Sequence, residues 1–136
     1  MYIDRVRNIN ALFGIELINL MQRLQGIDPI AYWNYIVQNI HNDEFALIIA
    51  WDDNGLHGAL HVNAPWDVVP GEAYIFFTVT DSTMTREEMK KFQDKAELYM
   101  KEHGATRWAM DTERNPRAVE RKYGPFKHIH RLVKEL

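Results

Sequence analysis

Phe45–Trp51 is a run of seven consecutive apolar residues, the length of a strand covered on both faces and too short for a typical helix. Asp52-Asp53-Asn54-Gly55 follows, a turn sequence whose Asn and Gly accept the backbone of a tight hairpin. Leu56–Val62 then completes a β-hairpin. In this second strand the alternation places Leu56, Gly58, Leu60 and Val62 on one face and His57, Ala59 and His61 on the other. A hairpin of this kind belongs in a sheet with helices packed on its faces, and the remaining segments supply them.

Val6, Ile9, Leu12, Phe13, Leu17, Leu20, Met21 and Leu24 recur every three or four positions, which predicts a long helix ended by Gly26. Asp28-Pro29 supplies an N-cap and a first-turn proline for a second helix, with Ile30, Trp33, Ile36, Val37 and Ile40 on one face, reaching His41-Asn42. After a loop at 64–71 comes the most apolar strand, Ala73–Val79, expected to lie centrally. Thr85-Arg86-Glu87-Glu88 has the form of a capping box; Met89, Phe92, Ala96, Tyr99 and Met100 then keep helical spacing until Gly104. Ala105–Met110 reads as a strand. Asn115-Pro116 opens a short helix through Lys122, and Gly124-Pro125 breaks it before a last strand, Phe126–Val133. The strand-helix-strand crossover should be right-handed, with its two strands paired in parallel. The whole reads as one α/β domain, residues 1–136, with two leading helices, a hairpin, a central β-α-β crossover and a carboxyl-terminal helix and strand.

Several function classes lack their residues. With no cysteine, disulfides, zinc-thiolate sites and a thiolate nucleophile are excluded, which fits a cytoplasmic protein. The amino terminus has no signal-peptide pattern, and no apolar stretch approaches the ~20 residues of a membrane helix. A net charge of −3 argues against nucleic-acid binding by bulk electrostatics. From Glu113 onward, seven Lys/Arg stand against three Glu, either a local anion site or the solvated face of a helix and edge strand. There is no G-x-S-x-G, Walker A, H-E-x-x-H or G-x-G-x-x-G pattern. His128 and His130 share a face but lack a third ligand, so no metal is expected. Trp51, Trp66 and Trp108 could wall a pocket or fill a core. His57 and His61, with Glu72 and Tyr74 on or near the adjacent strand, form a set from which a general base could be drawn.

The element order, the helix end Lys101-Glu102-His103-Gly104-Ala105, Asn115-Pro116-Arg117-Ala118 and Gly124-Pro125-Phe126-Lys127 together resemble the GNAT acyltransferase superfamily. The motifs cover roughly residues 44–136, and the leading helices match by order only. The resemblance implies transfer of an acyl group from a coenzyme A thioester, acetyl-CoA as tentative donor, to an amine acceptor. By position, Phe77, Thr78 and Val79 would hold the pantetheine arm through their backbone, with Asn115 beside it, while His57, His61 or Glu72 would be the base and Tyr123 the acid.

The sequence departs from that family at the loop after the central strand, where a Q/R-x-x-G-x-G/A pattern lets backbone N–H groups approach the pyrophosphate. Asp81–Met89 contains no glycine, and the paired glycines would fall near Glu87 and Met89. Ser82, Thr83, Thr85 and Arg86 still offer hydroxyls and a guanidinium to an anion. Aligning the last helix on Gly124 puts Glu120 where many members carry the acidic tyrosine, with Tyr123 close by. Two expectations follow: an acyltransferase with an atypical loop, or a non-catalytic GNAT-like module that binds a protein partner, as in small bacteriophage proteins of this look. In the second, Met84, Met89 and Trp108 would fill the coenzyme cleft.

Overall fold

The computed structural model describes residues 1–111, 117, 120–121, 124–126 and 132–136. In chain order the elements are β1 (Tyr2–Arg5), α1 (Ala11–Met21), α2 (Pro29–Asn39), β2 (Phe45–Asp52), β3 (Gly55–Asn63), β4 (Glu72–Thr80), α3 (Arg86–Glu102) and β5 (Arg107–Met110). The strands form one sheet in the order β1-β2-β3-β4-β5. Its first three pairings are antiparallel and β4–β5 is parallel, as the crossover requires.

The sheet separates two cores. On one side α1 and α2 bring Leu17, Met21, Tyr32 and Ile36 onto Phe45, Leu47, Ala59, Phe77 and Val79. On the other, α3 lays Phe92, Ala96, Tyr99 and Met100 over Ile48, Leu60, Val62 and Ile75. The continuous apolar run of β2 is explained by this double covering. Helix α1 sits close on α2 because Gly14 has no side chain: a Cβ there would come within 2.6 Å of the Trp33 ring.

The helix caps form as the sequence predicts. The Asp28 carboxylate accepts from the amides of Ile30 and Ala31, with Pro29 in the first turn. Both halves of the Thr85/Glu88 capping box are made, and Gly104 ends α3 at φ 82°.

The bounds of two elements need correction. The first helix does not begin at Val6: Asn10 caps it through the Phe13 amide, and it ends at Met21, before Gly26. Tyr2–Arg5 is a strand on the open edge of β2, and the Val6 amide continues that pairing to the Leu47 carbonyl, 2.8 Å away. Val6 and Ile9 have helical spacing, but the uncovered apolar edge of β2 takes the segment as its partner. Ala73–Val79 lies within β4, between β3 and β5, the interior place expected of the most apolar strand. The strand expected from Ala105 begins at Arg107.

The face assignment in β3 also changes. Trp51 pairs with Leu56 and Ala50 with Gly58, leaving His57 as the extra residue of a β-bulge. Leu56 therefore packs with the α1–α2 core, while Leu60 and Val62 pack under α3. A second bulge, at Phe76 in β4, turns Phe77 and Val79 to the α1–α2 side although Ala73 and Ile75 face α3. Arg117, Glu120 and Arg121 are helical, inside the predicted short helix, and Phe126 is not in a strand; most of the predicted last strand lies outside the described residues.

Candidate functional site

The β4–β5 ladder runs from Glu72–Arg107 to Ile75–Met110 and stops there among the described residues. β4 continues to Thr80, still paired with β3. Phe77, Thr78 and Val79 therefore pair with β3 on one edge, while their other edge lies beyond the last rung of β5 and is paired by no described strand. An extended ligand with amide groups can add to such an edge as another strand would. Phe77 and Val79 point into the α1–α2 core, so it is their backbone that serves the edge. Asp111 follows the last rung, and its Oδ2 accepts from the Tyr74 hydroxyl at 2.9 Å.

β4 leads directly into the loop 81–85, built on Asp81. Its Oδ1 accepts from the Thr83 amide at 2.9 Å and from the Thr83 hydroxyl, and its own amide donates to the His57 carbonyl at 2.9 Å. Ser82, Thr83 and Arg86 are exposed around it. The Thr85 hydroxyl accepts from the Glu88 amide and the Glu88 carboxylate from the Thr85 amide, so two donors of the α3 amino terminus are used within the chain. Hydrogen bonding from the Thr85 amide also holds the Glu88 carboxyl below the usual range, so it stays anionic.

His57 is buried at the bulge between two carboxylates. Its Nδ1 is 2.6 Å from Asp81 Oδ2 and its Nε2 is 2.7 Å from Asp52 Oδ1. Hydrogen bonds to Asp81 and then Asp52 raise its pKa above the ordinary histidine value, against the opposing effect of burial. Asp52 is held low by His57 and by the Asn54 amide. Burial works upward on Asp81, but hydrogen bonds from Thr83 and His57 outweigh it. The side chain is therefore an imidazolium with both N–H groups donating, and it has no lone pair to take a proton.

His61 is the opposite case. It is 3% exposed, with its ring stacked 4.7 Å from Phe45. Nδ1 lies 2.6 Å from the Tyr32 hydroxyl and Nε2 3.0 Å from Asn63 Oδ1. Burial lowers its pKa to about 4, so the ring is neutral at pH 7, accepting from Tyr32 and donating to Asn63. Burial, with Tyr35 adding to it, raises the Tyr32 pKa far above the phenol range. Phe76 and Tyr35, each about half exposed, pack against the same imidazole.

The histidines and Glu72 do not converge. Glu72 pairs with Arg107 Nε at 3.2 Å at the start of β4, and the strand from Glu72 to Thr80 spans about 26 Å at ordinary rise. Phe77, Thr78, Val79, Ser82, Thr83 and Arg86 do fall together, along that edge of β4 and the loop that continues it. Asn115 and Tyr123 lie outside the described residues, as do His128 and His130. The residues missed in the sequence are Asp52, Asp81, Tyr32 and Asn63. Asp52 and Asp81 had been assigned only to turn and loop; the pairing of Gly58 with both Ala50 and Thr80 is what brings their elements to His57.

No protein-family model matches the sequence, and no curated protein matches it. Solved structures do. An aminoglycoside 6′-N-acetyltransferase from Acinetobacter haemolyticus superposes with a TM-score of 0.76 at 14% identity, over 100% of this chain and 97% of that one. A second aminoglycoside N-acetyltransferase, in complex with CoA, gives 0.69 at 18% identity over 99% and 98% of the two chains. A GNAT family acetyltransferase from Staphylococcus aureus gives 0.71 at 15% identity over the full length of both.

Proposed function

From a chain with the GNAT fold, we propose an N-acyltransferase that moves an acyl group, acetyl in the simplest case, from a coenzyme A thioester to an amine. The observation that carries this reading is the edge of β4 at Phe77–Val79, beyond the last rung of β5 and paired by no strand among the described residues. It suits the amide-containing pantetheine arm, and the exposed Ser82, Thr83 and Arg86 continue the same line toward where phosphates would follow. When bound, the thioester supplies the activated acyl carbon. The pyrophosphate would be held by the Ser82 hydroxyl and the Arg86 guanidinium rather than by a glycine loop, since the capping box occupies two donors of α3 and the Thr83 amide and hydroxyl both donate to Asp81.

The chain's own residues divide the remaining work. Asp111, directly after the last rung of β5 and held by Tyr74, would use its carboxylate to attract the amine and take its proton. His57, already protonated, and His61, buried with both nitrogens engaged, act by holding structure. Glu72 stays with Arg107. Tyr123 and Asn115 keep the acid and arm-binding roles that the resemblance gives them.

A second reading, a non-catalytic module of the same fold that binds a protein partner, is favoured by one observation. Glu87 and Glu88 occupy the first turn of α3, where the donor's phosphates would approach. Calorimetric titration with acetyl-CoA separates the two. Saturable binding in the micromolar range, weakened by Arg86→Ala, supports the transferase; absence of binding at millimolar ligand overturns it in favour of the module.

A further inference from the structure

The imidazole of His57 joins two elements that are otherwise separate: the hairpin turn, through Asp52, and the base of the β4–α3 loop, through Asp81. It is 7% exposed, and it sits at a bulge whose carbonyl also accepts the Asp81 amide. Asp52 is fixed in turn by the Asn54 amide, 2.8 Å from its Oδ1. Thr83 is the third neighbour, with Oγ1 3.0 Å from Nδ1 while its hydroxyl donates to Asp81 Oδ1.

We propose that His57 is a positioning residue for the β4–α3 loop, tying it to the hairpin turn when protonated and releasing it when neutral. As imidazolium it donates from Nδ1 to Asp81 and from Nε2 to Asp52. As neutral imidazole it keeps one N–H. If that remains on Nε2, Nδ1 and Asp81 Oδ2 face each other lone pair to lone pair at 2.6 Å, an arrangement that must open. Nδ1 then becomes an acceptor for the Thr83 hydroxyl, which leaves Asp81 Oδ1. If the N–H remains on Nδ1 instead, Asp81 keeps its bond and Nε2 and Asp52 Oδ1 face each other at 2.7 Å, so either tautomer breaks one half of the tie and one proton goes to solvent.

The charges around the tie agree with this. Asp52 faces His57 from β2 and Asp81 from the loop, and Glu16 of α1 approaches the same hairpin turn at Gly55. On the far side, Arg23 donates to the Thr80 carbonyl at 3.1 Å, steadying the end of β4. The carboxylates favour the imidazolium, and its pKa is raised accordingly.

The consequence for a donor rests on the transferase reading: with the Thr83 hydroxyl spent on Asp81, the tied loop base holds the exposed Ser82 in place for phosphates, and release lets it move away. The test uses the full chain, isotopically labelled, through a pH titration that starts below the ordinary histidine value and runs upward until the ring has lost its proton. The Ser82 and Thr83 amide resonances should shift with the midpoint of the His57 ring, and that midpoint should lie above the ordinary histidine value. The acetyl-CoA dissociation constant should rise roughly tenfold across the same midpoint, a typical coupling. His57→Gln should make both readouts independent of pH, and Asp81→Asn, which keeps the side-chain shape, should uncouple Thr83 from the ring. Loop amides that ignore the ring's titration overturn the tie. Loop amides that follow it while coenzyme affinity stays flat overturn its part in donor binding. Absence of coenzyme binding at every pH overturns the transferase reading, and the loop amides then decide the tie alone.

Discussion

His57 and His61 lie four residues apart on β3, and their surroundings drive them to opposite charge states. Carboxylates flank the first and make it an imidazolium. Aromatic rings, a phenol and an amide surround the second and keep it neutral. The difference shows that residue type and spacing leave a histidine's role open; the partners its strand delivers decide it. It also sorts the two by task. The neutral ring is part of the α1–α2 core, while the charged one connects two turns at the edge of the candidate donor site.

The contrast can be broken most forcefully at the core histidine. His61→Ala removes a ring stacked on Phe45 and leaves the buried Tyr32 hydroxyl unpaired, and should cost about 3–4 kcal/mol in urea denaturation at neutral pH. A midpoint within error of wild type would show that the ring is not integral to that core.

His57→Ala should cost less, about 2 kcal/mol near neutral pH, for two charge-assisted hydrogen bonds to side chains less than a third exposed. The sign of the pH dependence is diagnostic. The folded pKa of His57 is raised, so its stabilisation is fully present below the unfolded value and is lost as pH rises through the folded one. The cost of the substitution should therefore shrink toward high pH. His61 runs the other way: with a folded pKa of about 4, its contribution is complete above the unfolded value and is lost as pH falls toward 4. Denaturation midpoints across pH should peak between the two windows, and a monotonic profile would contradict the assignment.

Tyr32→Phe should cost about 1–2 kcal/mol, since a buried acceptor loses its donor. Because that donor binds only the neutral ring, the His61 pKa should move up from about 4 when followed by NMR. The smallest effect is expected of Asp52→Asn, which removes one of two carboxylates: the His57 midpoint should fall without returning to the ordinary value, as Asp81 remains. A complete return would mean that Asp52 alone holds the proton.

What could be read directly was local. Asp28-Pro29, the Thr85/Glu88 box, Gly104 and the Asp52–Gly55 turn each act within about four residues, so their hydrogen bonds follow from the order of residues alone. The GNAT fold was legible for the same reason: caps, turns and apolar runs set the order of helices and strands, and few topologies accept that order. The assignment of a donor site to the Phe77–Val79 edge and the Ser82–Arg86 loop rests on their position in that topology. The His57, His61 and Glu72 set did not converge, because two strand bulges and the length of β4 separated residues that alternation alone had grouped.

The sequence by itself determined the hairpin and the capped helices, where near neighbours along the chain satisfy one another, and the parallel direction of the crossover, which a strand-helix-strand connection imposes. Tertiary structure decided that Tyr2–Arg5 pairs with β2, that the β4–β5 ladder ends at Met110 among the described residues, and that one histidine is charged and the other neutral. Asp81 lies 24 residues from His57 and Tyr32 lies 29 from His61. Interactions across such separations depend on strand register and burial, which arise only when the sheet has closed over both cores.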